Sequence, residues 1–246
     1  MPSKFPIVYF FSDFGANGPY TGQVEAVIRS NTQADFINLL ADAPKTDPVL
    51  SSYLLAAIYQ ELPVKKGYML AVVDPGVGSP RSILKITLGE MTIITPDNGL
   101  GSRLVLNHPD AEIKKLKNIP ENISSSFHAR DWFAPVVVNL IQGNEIEIED
   151  IQFSEITGYD WPSEIPKIIY IDHYGNLVTG IKELPKDQKL SLAGSKGIEH
   201  AATFSSVPKG ELFWYVNSMG LVEIAANSSS AAESLGVKIG DELQTI

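Results

Sequence analysis

The sequence predicts two domains: an α/β N-terminal domain with a mostly parallel sheet flanked by helices, and a small all-β C-terminal barrel. In the first two thirds of the chain, apolar β-rich runs alternate with helical periodicity, which is typical of βαβ units. Residues 153–166 hold two prolines, a tryptophan and no periodicity, which indicates a linker. Short strand-like runs separated by turn clusters follow. We therefore assign the N-terminal α/β domain to residues 1–160 and the β-barrel domain to residues 167–246.

Each predicted element rests on its own apolar pattern. In the first domain, buried strands are predicted at residues 7–11, 68–73 and 91–95. Helices are predicted around residues 24–28, over residues 48–62 and over residues 131–141. In the second domain, short strands are predicted at residues 167–171, 177–181, 211–216, 221–225 and 241–246.

Composition excludes several classes of function. The chain has 246 residues with 29 acidic and 19 basic side chains, giving a net charge of −10, which argues against nucleic acid or an anionic membrane surface as a partner. There is no cysteine, so disulfides, thiolate nucleophiles and cysteine-ligated metals are excluded. The apolar run at residues 7–11 is too short for a signal peptide or membrane span, and we expect a cytoplasmic protein.

Aspartates follow three predicted strands of the first domain. Asp13, Asp74 and Asp97 each come directly after or close to the end of an apolar run. One such aspartate alone is typical of a turn or a helix cap. The carboxyl ends of parallel strands line the ligand crevice of an open sheet, so three together predict an acidic site at that edge.

The remaining motifs favour a site without a metal or a phosphate loop. The four histidines form no metal-ligand spacing, and Gly76-Val77-Gly78 lacks the rest of a phosphate-binding fingerprint. No serine lies in a nucleophile elbow. His128 is the histidine of interest, because it lies in a polar loop just before a predicted helix. A solvated or core histidine is the plain alternative.

Six motifs, in order and over nearly the whole chain, resemble those of the S-adenosyl-L-methionine (SAM) hydroxide adenosyltransferases, relatives of the fluorinase and chlorinase enzymes. The motifs are Ser12-Asp13-Phe14-Gly15, Val73-Asp74-Pro75-Gly76-Val77-Gly78 with Arg81, Pro96-Asp97-Asn98-Gly99, Phe127-His128-Ala129-Arg130-Asp131, Asp172-His173-Tyr174-Gly175-Asn176, and Asn217-Ser218-Met219-Gly220 with Glu223.

The resemblance implies the hydrolysis of SAM to adenosine and L-methionine, by attack of water or hydroxide at the ribose C5′, with no metal and no separate cofactor. It also implies a homotrimer in which the ligand lies between one subunit's N-terminal domain and a neighbour's C-terminal domain. The family's catalytic set, which holds the attacking oxygen, corresponds to Asp74, Arg81 and His128.

The substrate-binding residues are implied in the same way. Asp13 corresponds to the carboxylate that accepts the two ribose hydroxyls. Asn176 and Ser218 correspond to residues around the methionine end or the adenine, and Tyr174 to the aromatic residue beside Asn176. Glu223, with the backbone near Ala226 and Ser228, corresponds to the adenine-binding stretch. A carboxylate can accept both hydroxyls at once and so fix C5′ for in-line attack.

The chain departs from the family pattern at three positions, and two other functions stay open. Gly18 replaces an aspartate, Ala129 a glycine, and Gly180 an asparagine. Gly18 and Ala129 motivate the first alternative, a non-catalytic binder of SAM or adenosine. The second is halide transfer to C5′, which the negative charge of Asp74 disfavours because it would repel the incoming anion.

Overall fold

The computed structural model describes residues 5–117, 119–195 and 197–246. The chain divides into two compact units, one ending at Trp161 and the other beginning at Pro162. Among the described residues, no helix has the length and apolar character needed to cross a membrane.

The first unit contains seven strands and four α-helices among its described residues. In chain order they are β1 (Ile7–Ser12), α1 (Tyr20–Asn31), β2 (Asp35–Leu40), α2 (Pro48–Gln60), β3 (Lys66–Val72), β4 (Ile83–Leu88), β5 (Glu90–Pro96), α3 (Ser102–Asn107), β6 (Glu112–Leu116), a π-helix (Ala129–Phe133), α4 (Ala134–Ile141) and β7 (Ile148–Asp150).

The strands form one mixed sheet in the order β2-β1-β3-β5-β4-β6-β7. The first four run parallel, and β4, β6 and β7 extend the sheet by antiparallel pairing. The predicted α/β class is confirmed. β2, the next strand in the chain, pairs with one edge of β1, and β3 pairs with the opposite edge. A topological switch point therefore lies between β1 and β3.

Local sequence explains how the helices around this switch point begin and pack. Asp47 caps α2 by accepting a hydrogen bond from the Leu50 amide at 2.9 Å, and Pro48 occupies the first turn, where no N–H is needed. In α1, Val24 and Ile28 lie one turn apart and are fully buried. They join a core that includes Phe10 of β1 and Val137 of α4.

Among its described residues, the second unit is all-β apart from one short α-helix and a 3-10 turn at Phe204–Ser206. Its elements are β8 (Ile165–Ile171), β9 (Leu177–Gly180), β10 (Leu190–Ser191), β11 (Leu212–Val216), β12 (Val222–Ala226), α5 (Ala231–Leu235) and β13 (Gln244–Thr245). They form a four-stranded antiparallel sheet, β11-β12-β9-β8, and a two-stranded sheet, β10-β13. This confirms the small all-β class predicted for the second domain.

Close approach of β8 and β9 explains one departure from the family pattern. Gly180 pairs with Ile165 across the two strands. A Cβ at position 180 would lie 2.5 Å from the Ile165 Cγ1 atom and 2.8 Å from its carbonyl oxygen. Glycine at this position therefore lets the strands pack together, and an asparagine would require a different spacing.

Candidate active site

A cavity of about 520 Å³ lies in the first unit at the carboxyl ends of β1 and β3, the switch point of its sheet. Open α/β sheets bind ligands at this place. The lining residues are Asp13, Phe14, Tyr20, Gln23, Thr46, Val72, Asp74, Val77, Ser124, Ser126, Phe127, His128, Ala129 and Arg130. Three predicted site residues, Asp13, Asp74 and His128, thus share one cavity.

Asp13 follows β1 directly and is held from the neighbouring loop. Its Oδ2 atom accepts a hydrogen bond from the Thr46 amide at 2.9 Å. Burial raises the pKa of the Asp13 carboxyl, while hydrogen bonds from the backbone amides of Thr46 and of Asp13 itself and the charge of Lys45 lower it. The result is a partly desolvated carboxylate that lines the cavity.

Asp74 follows the end of β3 and forms an ion pair with Arg81. The Asp74 Oδ2 atom accepts from Arg81 Nη2, and Arg81 Nη1 donates to the Gly76 carbonyl oxygen at 3.1 Å. Both side chains are nearly buried, with 6% of Asp74 and 10% of Arg81 exposed. Burial lowers the pKa of Arg81 to about 10, so its guanidinium stays charged at neutral pH. Arg81 contacts Asp74 without itself lining the cavity.

His128 lies at the start of the π-helix Ala129–Phe133 and is buried. Its ring packs edge-on against Trp132 and Phe133, with centroid distances of 5.7 and 6.4 Å. Burial lowers the pKa of His128 below its usual 6.5, and the nearby charge of Arg81 lowers it further. His128 is therefore neutral at pH 7. The π-helix, a rare element often found at functional sites, replaces the start of the predicted helix over residues 131–141.

Three polar atoms of this group are buried and have no hydrogen-bond partner among the described residues. They are Asp74 Oδ1, Arg81 Nε and His128 Nδ1. A buried polar atom without a partner costs about 1–3 kcal/mol, so such atoms commonly bind an ordered water or a ligand. One acceptor, one donor and one imidazole nitrogen match the hydrogen-bonding needs of a water molecule.

The loop that carries His128 is fixed by contacts that the sequence did not reveal. Arg130 pairs with Asp131, and its Nη1 atom donates to Gln23 Oε1 of α1 at 2.8 Å. Asp131 Oδ2 also accepts from the Ser124 amide at 3.0 Å. The Arg130 guanidinium lies 4.9 Å from the centre of the Phe127 ring. The only sequence signal for this network was the Arg-Asp pair after the histidine.

Asp97, the third aspartate at a strand end, has a structural role. Its Oδ1 atom accepts a hydrogen bond from the Thr157 amide at 2.9 Å, and it does not line the cavity. The expectation of three aspartates at one site is therefore wrong for Asp97. The strand before it, β5, lies on the far side of β3 from β1, one position away from the switch point.

A second cavity, of about 900 Å³, lies in the second unit. All six residues predicted there are among those that line it: Tyr174, Asn176, Ser218, Glu223, Ala226 and Ser228. Tyr170, Phe204 and Tyr215 add aromatic surface. A cavity that combines aromatic faces with amide and hydroxyl groups suits a planar heterocycle.

Asn176 is held by the carboxylate of Asp172. Asp172 Oδ1 accepts a hydrogen bond from the backbone amide of Asn176 at 2.9 Å, and Asp172 Oδ2 accepts one from the Asn176 side-chain Nδ2 atom at 2.8 Å. The Asn176 Oδ1 atom is buried with no partner among the described residues, which makes it available to a ligand donor. Tyr174, two residues earlier, is 76% exposed.

Glu223 is buried on β12, and each of its carboxylate oxygens accepts a hydrogen bond from a nearby side chain. Oε1 accepts from the Tyr215 hydroxyl at 2.6 Å and Oε2 from Asn217 Nδ2 at 2.8 Å. Asn217 Oδ1 in turn accepts from the Met219 and Leu221 amides and so shapes the turn that carries Ser218. Burial and the bond to Glu223 raise the pKa of Tyr215, so its hydroxyl stays protonated.

The other lining residues differ in exposure. Ser218 and Ser228 are exposed, whereas Ala226 at the end of β12 is buried. Of the two departures from the family pattern in the first unit, Ala129 lies at the first cavity and Gly18 lies in the loop between β1 and α1. Ala129 is buried and lines the cavity. A Cβ at Gly18 would lie 2.9 Å from the Phe14 carbonyl oxygen, so an aspartate there would require the loop to shift.

Within the described ranges, no group of three or more His, Asp or Glu side chains is arranged to hold a metal ion.

Together, these features define a two-domain protein with an enzyme-like cavity. The first domain has a carboxylate, a carboxylate–arginine pair and a neutral histidine at the switch point of a mostly parallel sheet, and the second domain is antiparallel β. The chain belongs to the SAM hydroxide adenosyltransferase family: residues 8–151 match the family's N-terminal domain and residues 166–244 its C-terminal domain. The resemblance inferred from the six motifs is confirmed.

Similar proteins cover the chain almost end to end. A protein of Thermus thermophilus named (R)-S-adenosyl-L-methionine hydrolase is 32% identical over 251 residues, covering 95% of this chain and 96% of that protein. One of the same name from Salinispora arenicola is 30% identical, with 97% of each covered. The crystal structure of an uncharacterized conserved protein from Thermotoga maritima superposes with a TM-score of 0.82 at 25% identity, covering 97% of this chain and 100% of that chain.

Proposed function

We propose that this protein is an enzyme that hydrolyses SAM to adenosine and L-methionine. Water attacks the ribose C5′ carbon, the C5′–S bond breaks, and its electron pair stays on sulfur as the neutral thioether of methionine. One proton is released from the water. Because the leaving group is neutral, the site needs no acid to protonate it; it needs an aimed nucleophile and a fixed C5′.

The observation that carries this proposal is the set of three unpartnered atoms on Asp74, Arg81 and His128. A water bound there would accept from Arg81 Nε and donate to Asp74 Oδ1 and to the neutral His128 Nδ1. The family-derived catalytic set is thus supported as a nucleophile-holding site. Arg81 keeps Asp74 in place as well, because the two form an ion pair. The mechanism has no step that requires a metal.

We assign the ribose to Asp13, whose carboxylate faces the same cavity as Asp74 and His128. For the second cavity we propose that Asn176 and Ser218 bind polar atoms of the substrate and that Tyr174, Ala226 and Ser228 surround the adenine. Glu223 acts through Tyr215 and Asn217, because both of its oxygens bond to those side chains. We further propose a homotrimer in which a neighbouring subunit completes the site; light scattering should give three times the mass of one chain.

The test is to incubate the purified protein with SAM and to separate the products by chromatography, using the two sulfonium epimers separately because the relatives are named for the (R) form. Adenosine and methionine in equal amounts support the proposal. Unchanged SAM, with ligand still bound, would favour the binder. A parallel reaction in excess chloride or fluoride should still give adenosine; a halogenated nucleoside would point to halide transfer.

Removal of the Asp13 carboxylate is expected to weaken binding more than turnover. Asp13→Ala loses the charged acceptor of two ribose hydroxyls, so KM for SAM and Kd for adenosine should rise by about 10- to 100-fold. Asp160→Asn, which removes an exposed carboxylate of the same unit outside the cavity, is the control. If Asp13→Ala binds adenosine as tightly as the wild type, the ribose assignment is wrong.

Activity is expected to fall as the pH is lowered through the pKa of His128. This pKa lies below 6.5 in the folded protein because of burial and Arg81. The neutral ring therefore predominates at pH 7, and protonation removes its acceptor at Nδ1. kcat should be constant from about pH 6.5 upward and decline below it. In that acidic window the unfolded chain binds the proton more readily than the folded one, so the free energy of unfolding should fall as well.

The pH profiles of two variants check this assignment. In a His128→Gln variant, which has no titrating ring at this position, the free energy of unfolding should no longer include the decrease at acidic pH that His128 causes. A His108→Gln variant should still show that decrease. A kcat that rises below pH 6.5 would contradict the role of neutral His128.

A further inference from the structure

Thr46 has a backbone conformation that disfavours its own side chain. Its φ angle is +55°, in the left-handed region. Among the described residues, the other non-glycine residues with positive φ are Asn122, Ala193 and Ser228. Thr46 is the β-branched member of this group, and β-branched residues are the least suited to this region. Such strain persists where the surrounding structure imposes it, often at a functional site.

Core packing does not account for the strain, because Thr46 is exposed. Within the described part of the chain, its hydroxyl donates to the adjacent Lys45 carbonyl oxygen, at 2.7 Å, and to no other group. Two other observations place it at the site: its amide donates to Asp13 Oδ2 at 2.9 Å, and it lines the 520 Å³ cavity.

Backbone hydrogen bonds also connect the loop that carries Thr46 with the loop after β1. The Gly15 amide donates to the Ala41 carbonyl oxygen at 2.6 Å, and the Ala43 amide to that of Ser12 at 3.0 Å. These two bonds join backbone to backbone. The Thr46 amide differs, because it reaches a side chain and fixes the orientation of the Asp13 carboxylate.

We propose that Thr46 is a substrate-positioning residue, whose left-handed backbone aims its N–H at Asp13 and whose side chain forms part of the cavity wall. This inference rests on the proposed function, in which Asp13 accepts the ribose hydroxyls. With Oδ2 held by Thr46, the remaining lone pairs of Asp13 keep one direction toward the sugar.

The test compares three variants for thermal stability, for KM and kcat with SAM, and for Kd with adenosine by calorimetry. Thr46→Gly permits the left-handed backbone without strain, but it removes the side chain that forms part of the cavity wall and makes the loop more flexible. Thr46→Asn keeps a side chain and tolerates the left-handed region. Ala193→Gly is the matched control, because Ala193 has a φ of +51°, is exposed, and lies outside both cavities.

We expect Thr46→Gly to be at least as stable as the wild type but to raise KM and Kd by about threefold to tenfold, with kcat changed less. Thr46→Asn should bind within about twofold of the wild type. Ala193→Gly should leave binding and turnover unchanged. Unchanged adenosine binding by Thr46→Gly, or a loss of its thermal stability where Ala193→Gly loses none, would overturn the proposal.

Failure of this inference is distinguishable from failure of the proposed function. If the wild type binds adenosine but does not hydrolyse SAM, the hydrolase is wrong, and the calorimetry still decides the role of Thr46. If the wild type hydrolyses SAM and Thr46→Gly matches it in KM and Kd, only the role of Thr46 is wrong. A wild type that binds no adenosine would overturn both.

Discussion

Replacing His128 by alanine is expected to lower kcat for SAM hydrolysis by about 100-fold or more, with KM within a few-fold of the wild type. The ring lines the cavity, and its Nδ1 atom has no hydrogen-bond partner among the described residues. In the proposed mechanism this atom orients the attacking water and takes its proton. The substrate itself is held elsewhere in our assignment, by Asp13 and by the residues of the second cavity. The loss should therefore fall on the chemical step.

The measurement is steady-state kinetics beside calorimetric binding of adenosine. His108→Gln is a matched control, because His108 bonds to the Leu104 carbonyl oxygen and does not line the cavity. Thermal unfolding of both variants separates lost chemistry from lost folding, since Trp132 and Phe133 pack on the His128 ring. If His128→Ala keeps its kcat and loses affinity for adenosine, His128 binds the substrate and does not hold the nucleophile.

Strongly patterned elements of the fold were predictable from the sequence. The apolar runs at residues 7–11, 68–73 and 91–95 correspond to β1, β3 and β5, the parallel strands near the switch point. β2 was missed because Asp35–Leu40 mixes polar and apolar residues on an edge strand. The antiparallel strands β4 and β6 were missed as well, since lysines interrupt their apolar patterns.

The sequence motifs predicted which residues form the candidate site. They did not predict the features that depend on strand order and on packing between separate segments. Asp13, Asp74 and His128 share a cavity because strand order brings separate loops together, and the motifs identified all three. Asp97 looked equivalent in sequence, but its strand lies one position away from the switch point. The strain at Thr46 depends on its backbone angles, and the hydrogen bonds on the Glu223 carboxylate depend on the pairing of β11 with β12; no local pattern encodes either.

Replacing Arg81 by alanine is expected to reduce both stability and turnover. Arg81 and Asp74 form a nearly buried ion pair, and removal of one partner leaves the other charge buried and uncompensated. Such a change costs about 3–5 kcal/mol of the free energy of unfolding. Turnover should fall by about 100-fold or more, because the water loses the Nε donor and Asp74 loses the group that orients it.

A double variant separates the two effects. Arg81→Met combined with Asp74→Asn removes both charges and keeps much of the volume, so it should be more stable in urea unfolding than Arg81→Ala. It should remain inactive, because neither the donor nor the carboxylate is restored. If Arg81→Ala unfolds at the same urea concentration as the wild type, the pair is not the buried one that the structure describes. If the double variant recovers turnover, the nucleophile is held by other groups, and the role assigned to Asp74 and Arg81 is wrong.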